Sequence, residues 1–370
     1  MSLPEATNTV SLTAVERLRA AVEGLFNIQD TTLDYPEAGF VRFRGQFIRP
    51  AEDCFDEICD RFYPIGFTPK LKDDNGRIEL IAFPGVYRDK PANRMINLAL
   101  FIATIFSTLF VGASYAAETV EQSLQLWRGW PFSLSIMLIL TAHELGHYFA
   151  ARYHKVPVSE PYFIPMPLSI IGTMGAFIQL KAPVRNRRAL LDVGASGPLA
   201  GMLFAVPVLI IGLLTSEVGA LPTGPYVLEG NSLFYLFMKY VIYGQILPAG
   251  GLDVQLNQVA WAGWVGLLIT GLNLIPVGQL DGGHIAYVLF GERARLLFWP
   301  MIAAMAVLVV LTGAYTWVFW IGLLLLFGRR YAEPLDNVTG LDKRRKAIAI
   351  FTFCLFFLVF VPIPLVQVGL

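Results

Sequence analysis

Seven apolar runs occupy the chain beyond residue 94 and constrain its fold more than any other feature. They span residues 96–117, 131–151, 194–215, 259–277, 297–312, 315–327 and 347–361. A helix needs about 20 apolar residues to cross the hydrocarbon of a bilayer, and only helices and closed barrels satisfy their backbone polar groups in lipid. Charged residues make up only 15% of the chain. We therefore expect an α-helical polytopic membrane protein with about seven transmembrane helices, the fifth and sixth of them short.

The first quarter of the chain differs, because residues 1–94 hold about half of all the charged side chains. Their patterns predict a small soluble α+β domain. We expect a helix over 11–24 capped by Ser11 or Thr13, a strand over 39–47, a helix over 51–62, and a hairpin of 67–71 and 77–83 around the turn 73–76. The predicted domains are therefore 1–94, soluble, and 95–370, membrane-embedded, with a core at about 130–285.

Basic residues are distributed unequally among the loops between the apolar runs. Loops 152–193, 278–296 and 328–346 carry fourteen Lys and Arg, whereas loops 118–130 and 216–258 carry two. The positive-inside rule therefore predicts a multi-pass protein with a cytoplasmic N-terminal domain and its C-terminus outside. The net charge is zero and there are three cysteines, so neither a nucleic-acid partner nor a disulfide framework is expected.

The second apolar run contains polar residues that are costly in lipid and usually functional there. Residues 143–147 read His-Glu-Leu-Gly-His. On a helix, His143 and His147 project from one face a turn apart, a spacing that chelates one metal ion. Glu144 lies beside them and can accept a proton from a metal-bound water.

Two histidines are an incomplete zinc site, which normally has a third protein ligand and an open position. Asp281 is favoured as the third ligand, because the loop charges place the ends of the second and fourth runs at a similar depth. We expect Asp281 to end the helix of the fourth run, and we expect Pro276 and Gly278 to loosen that helix near its end. His154, Glu160 and Asp192 remain open as alternatives. His284 lies near enough to Asp281 to support the site without binding the metal, and a role as a partner for solvent or a turn is equally open.

These residues resemble the signatures of the site-2 proteases, a family of zinc intramembrane metalloproteases. Residues 143–147 match its HExxH motif, and 273–283 match its NxxPxxxLDG motif. Segments 172–175 and 194–198 also resemble family segments. The 43-residue loop 216–258 leaves no room for the PDZ domain of some members. The chain is most similar to the plastid and bacterial branch with an N-terminal soluble domain and no PDZ domain.

The resemblance implies an intramembrane zinc endopeptidase that cuts within or near the transmembrane segments of membrane-protein substrates, in contact with membrane lipid. His143, His147 and Asp281 would bind one Zn²⁺, Glu144 would be the catalytic base, and Asn273 would help to bind substrate or the oxyanion. We expect a bacterial or archaeal cell membrane in preference to a plastid membrane.

Two apolar, strand-like runs lie between the second and third spans. Residues 163–167 and 175–181 are joined by 168–174, and they predict a membrane-associated β-hairpin whose edge pairs with an extended substrate. The aromatic residues of loop 216–258 favour anchoring at the membrane interface over a lid.

Two other functions stay open. An inactive relative would serve as a membrane chaperone or scaffold, although such relatives typically lose one of the site residues. A metal transporter would use the same ligands in transit, although it would not need Glu144 beside the two histidines.

Overall fold

The computed structural model describes residues 9–74, 76–87 and 93–368. Asn75, in the predicted hairpin turn, and parts of the 1–94 domain therefore lie outside the described residues. The chain divides into two compact units. The first comprises Met1–Lys90, Lys181–Leu190 and Glu333–Lys343, and the second comprises Pro91–Leu180, Leu191–Ala332 and Arg344–Leu370.

The described residues form twelve α-helices and ten strands. The helices are α1 (Leu12–Ala21), α2 (Ala51–Phe62), α3 (Arg94–Tyr115), α4 (Val120–Ser123), α5 (Trp130–Tyr153), α6 (Arg187–Leu214), α7 (Leu233–Tyr243), α8 (Gln258–Asn273), α9 (Asp281–Phe290), α10 (Phe298–Thr312), α11 (Thr316–Phe327) and α12 (Lys343–Val359). The strands are β1 (Phe26–Leu33), β2 (Val41–Phe47), β3 (Phe67–Asp74), β4 (Arg77–Pro84), β5 (Tyr162–Met166), β6 (Gly172–Phe177), β7 (Glu217–Ala220), β8 (Tyr226–Glu229), β9 (Leu252–Gln255) and β10 (Leu365–Val368).

The first unit is an antiparallel sheet in the order β1-β2-β4-β3, with α1 and α2 contributing to its core. Ser11 caps α1, because its side chain accepts a hydrogen bond from the backbone N–H of Ala14. The helix over 51–62 and the 67–83 hairpin are confirmed. Strand β1 was not among the predicted elements. Its polar residues Asp30, Thr31 and Thr32 break the alternation, because β1 is an edge strand with little to bury.

Two later segments of the chain complete this unit. Leu71 in β3 donates its backbone N–H to the carbonyl of Leu335 at 2.7 Å, and Leu335 in turn donates to Val184 at 2.9 Å. The side chain of Leu335 belongs to the hydrophobic core of the unit. Lys70 adds an ion pair with Glu333 at 2.6 Å. Residues from beyond position 94 therefore form part of the core that residues 1–94 were expected to build alone.

We expect Leu335→Ala to destabilise the first unit by about 2–5 kcal/mol, the usual cost of removing a buried leucine side chain. Leu335 is only 4% exposed. Hydrogen exchange of the full-length chain should show faster exchange at the β3 amides, Leu71 included. Leu12→Ala is the matched control, because Leu12 is 73% exposed in the same unit. Equal exchange in the two variants would contradict this role for Leu335.

The second unit contains the apolar helices. Three stretches of the described residues are long and apolar enough to cross a membrane, namely Arg94–Tyr115, Arg187–Leu214 and Asp281–Thr312. Helix α5 has sufficient length, but its polar motif lowers its hydropathy, and α8, α11 and α12 are shorter. Helices occur at all seven predicted runs. The structure thus supports a mostly helical membrane protein, while the number of seven spans stays a prediction.

The predicted hairpin between α5 and α6 is present, but its second strand begins earlier than expected. Strand β5 pairs antiparallel with β6, with Tyr162 opposite Phe177 and Met166 opposite Gly172. The connection is shortened because Gly172, with a φ of +78°, turns the chain directly into β6. The hydroxyl of Ser107 in α3 donates to the carbonyl of Gly172 at 2.5 Å. Helix α3 therefore supports the hairpin at this turn.

Asp281 begins a helix, whereas the sequence analysis expected it to end the fourth span. Helix α8 stops at Asn273, and Asp281 is the first residue of α9. The helix ends early because Pro276 has no backbone N–H to continue the ladder. Gly278 then adopts a φ of +64°, which reverses the chain.

The loop 216–258 folds into strands and a helix rather than an extended connection. Helix α7 buries Lys239, whose ammonium lies 3.5 Å from a carboxylate oxygen of Asp253 and 4.6 Å from the ring centre of Tyr235. Its opposite face exposes Phe237 and Tyr240. An apolar face outward and a charged face inward is the arrangement expected beside lipid. Whether this loop anchors or covers the site stays a prediction.

Candidate metal centre

The structure brings together three of the predicted site residues. The Nε2 atoms of His143 and His147 lie 3.1 Å apart, and each lies 3.3 Å from Oδ2 of Asp281. Helix α5 supplies the two histidines at a spacing of four residues, and the start of α9 supplies the carboxylate. Two imidazoles and one carboxylate thus converge on a single point below the surface.

The spacing of these donor atoms fits a zinc ion. Ligand atoms about 2.0 Å from a tetrahedral metal ion are about 3.3 Å apart. The three donor atoms stand 3.1–3.3 Å from one another, and within the described residues they form the one group of His, Cys, Asp or Glu suited to hold a metal ion. Three protein ligands leave the fourth position for water or substrate, as in catalytic zinc sites.

Helix α6 orients the second histidine. Nδ1 of His147 lies 2.6 Å from the carbonyl oxygen of Val193. A carbonyl oxygen can only accept, so Nδ1 carries the proton and Nε2 keeps its lone pair for a metal. Gly197 in the same helix provides the space for this ring, because a Cβ there would lie 2.0 Å from Nε2 of His147. Gly201 does the same for His143, with 3.1 Å to Nδ1.

Two further predicted residues lie beside the three donors. Glu144 is buried next to the histidines. Strand β6 packs against α5, so the hairpin lies beside the helix that carries the side chain expected to act as base. The amide nitrogen of Asn273, the last residue of α8, lies 3.3 Å from Nε2 of His143.

The alternative ligands lie elsewhere. Nε2 of His154 lies 2.8 Å from a carboxylate oxygen of Asp192, which also accepts from Arg345 at 2.7 Å. Glu160 pairs with Arg94 at 2.8 Å. His284 packs against Gly194 of α6, and it is not part of the donor group.

The sequence analysis missed the support that α6 gives to the site. It noted 194–198 as a resemblance but assigned those residues no role. The available signal was the small residues Gly194, Gly197 and Gly201, whose spacing of three and four places them on one helix face. Such a face admits another element at close range. Which element it admits depends on packing between distant segments.

Part of the chain matches a known protein family. Residues 131–312 match the model of Peptidase family M50. The chain is 34% identical over 242 residues to the probable zinc metalloprotease EGY1, chloroplastic, of Arabidopsis thaliana, covering 63% of this chain and 43% of that protein. It is 32% identical over 250 residues to EGY2 of the same plant, covering 65% and 43%. A rice EGY1 is 28% identical over 297 residues, covering 73% and 50%. No solved structure matches.

The expected bacterial or archaeal membrane is wrong, because these relatives are chloroplastic proteins of plants. The motifs behind that expectation report the chemistry of the site, which does not depend on the compartment. The chain spans less than half the length of the first two relatives. Residues 131–312 nevertheless show that the chain carries a Peptidase family M50 domain.

Proposed function

We propose that this chain is an intramembrane zinc endopeptidase, which hydrolyses peptide bonds within or near transmembrane segments of membrane proteins. The convergence of His143, His147 and Asp281 beside Glu144 carries the proposal. The metal is zinc, since the relatives are named zinc metalloproteases and the donor spacing suits that ion. Their chloroplastic location favours a plastid membrane for this chain.

His143, His147 and Asp281 would hold the ion. When bound, zinc lowers the pKa of water toward about 7 and polarises a carbonyl oxygen. The carbonyl of Val193 holds His147 in the tautomer that leaves Nε2 available. Because the imidazoles and the carboxylate are already close together, little reorganisation is needed for binding.

Glu144 would move the protons. Its carboxylate takes a proton from the attacking water and returns it to the leaving amine. Asn273 would donate its amide N–H to the oxygen of the scissile carbonyl as negative charge develops there.

The β5–β6 hairpin would bind the substrate. A peptide bond within a helix is shielded by the helix's own hydrogen bonds, so the substrate must be extended before attack. A strand added to β6 would supply replacement backbone hydrogen bonds. Strand β6 packs against α5, which would bring an extended substrate to the helix that carries Glu144.

Metal removal tests the proposal. We expect the full-length chain, purified in lipid nanodiscs, to contain about one zinc per chain and to cleave a model membrane-spanning substrate. Dialysis against 1,10-phenanthroline should remove both the zinc and the cleavage, and added zinc should restore both. Cleavage that persists in the metal-free chain would overturn the proposal, and so would a zinc-free purified chain with full activity.

A further inference from the structure

A pocket of about 220 Å³ lies where α10 begins and α11 ends. It is lined by Arg295, Phe298, Trp299, Arg329 and Tyr331. Pockets for drug-sized ligands are usually about 300–1,000 Å³. This one is smaller, and its size suits a compact group such as a phosphate with part of its ester.

The pocket is positively charged. The guanidinium of Arg329 lies 5.5 Å from the ring centre of Trp299 and 5.9 Å from that of Phe298. A guanidinium this close to aromatic rings gains cation–π attraction, and a guanidinium can bind a phosphate through two N–H groups at once. Arg295 lines the opposite segment and forms an ion pair with Glu292 at 3.3 Å. Two further arginines adjoin the pocket in sequence, at positions 293 and 330.

Apolar surface extends from the pocket along the two helices. Leu296 and Trp299 at the start of α10, and Leu326 and Phe327 at the end of α11, are all exposed. Helix α10 belongs to the stretch Asp281–Thr312, which is long and apolar enough to cross a membrane. The charged pocket therefore lies at one end of an exposed apolar surface. Headgroups meet acyl chains at this level of a bilayer.

We propose that this pocket binds the phosphate headgroup of an anionic membrane lipid. Arg295 and Arg329 would contact the phosphate, and the acyl chains would lie against the exposed side chains of α10 and α11. Basic pockets between transmembrane helices bind anionic headgroups in this way. A free phosphate shares the same headgroup chemistry, but it would gain nothing from the apolar surface beside the pocket.

The pocket also adjoins the turn that carries the third metal-binding side chain. The hydroxyl of Tyr331 donates to the carbonyl of Ala294 at 3.1 Å. A Cβ on Gly278 would lie 2.6 Å from the backbone of Gly328, so the turn packs directly against the end of α11. A headgroup bound at Arg329 would thus lie next in sequence to the glycine that contacts the turn before Asp281.

Native mass spectrometry of the full-length chain, released from nanodiscs of equal parts phosphatidylglycerol and phosphatidylcholine, tests the proposal without relying on protease activity. We expect phosphatidylglycerol to be retained at least about ten-fold over phosphatidylcholine. Replacing both arginines (Arg295→Gln with Arg329→Gln) should abolish that preference, and replacing both by lysine should keep part of it. Arg128→Gln is the matched control, since Arg128 stacks on Trp127 at 5.5 Å outside the pocket.

A second measurement leaves the arginines in place, in case the double variant does not fold. The emission of Trp299 is obtained by subtracting the fluorescence of Trp299→Leu from that of wild type. Brominated phosphatidylglycerol should quench this emission more strongly than brominated phosphatidylcholine does. Glycerol 3-phosphate at millimolar concentration should not reverse the quenching. Equal quenching by the two lipids would overturn the proposal. Reversal by glycerol 3-phosphate would also overturn it, because the ligand would then be a free phosphate.

Discussion

Glu144→Gln is expected to lower cleavage of a membrane-spanning substrate by about 10²–10⁴-fold, the usual contribution of a general acid–base group, while zinc content stays near one ion per chain. Glutamine fills the same volume but cannot take up the proton. The metal donors are His143, His147 and Asp281, so the substitution removes none of them. Cleavage rate and zinc content, measured on the same preparation, check the prediction.

Glu160→Gln is the matched control for this substitution. Glu160 is also a glutamate of the second unit, but its carboxylate pairs with Arg94, so we expect cleavage close to that of wild type. The experiment also separates the competing functions. A scaffold or a metal transporter would be affected little by Glu144→Gln, and full cleavage by that variant would exclude Glu144 as the base.

Gly197→Ala is expected to weaken zinc binding by about 10–100-fold and to reduce cleavage as well. This is the range seen when groups that orient a metal ligand are altered. The added Cβ would lie 2.0 Å from Nε2 of His147 and 2.4 Å from two ring carbons. The imidazole would have to move, and that movement breaks its hydrogen bond to the carbonyl of Val193. Competition with a fluorescent zinc chelator would measure the change in affinity.

Substitutions at two other glycines provide a control and an intermediate case for this prediction. Gly322 lies in α11, and a Cβ added there would have nothing within 4 Å of it, so Gly322→Ala should leave zinc affinity and cleavage unchanged. Gly201→Ala should fall between the two, because its Cβ would lie 3.1 Å from Nδ1 of His143. If Gly197→Ala binds zinc as tightly as Gly322→Ala does, the proposed role of α6 is wrong.

Short-range features of this protein follow from its sequence. The helix over 51–62 is encoded by a local apolar periodicity and the 67–83 hairpin by its turn residues. The pairing of His143 with His147 is also local, since residues four apart on a helix face one another. Asp281 lies far from the two histidines in sequence. It was nevertheless predicted as a ligand, because the loop charges set the direction in which each apolar run crosses the membrane. The resemblance to the site-2 proteases rests on the motifs that contain His143, His147 and Asp281.

The tertiary structure alone decided the remaining features. It placed Asp281 at the start of α9, brought Leu335 into the core of the first unit, and set Gly197 against His147. Each of these contacts joins segments that are far apart in the chain. Local periodicity indicates whether a residue is buried, but it does not indicate which distant segment packs against that residue. The amino-acid sequence thus determined the chemistry that α5 carries, and packing determined the side chains that surround it.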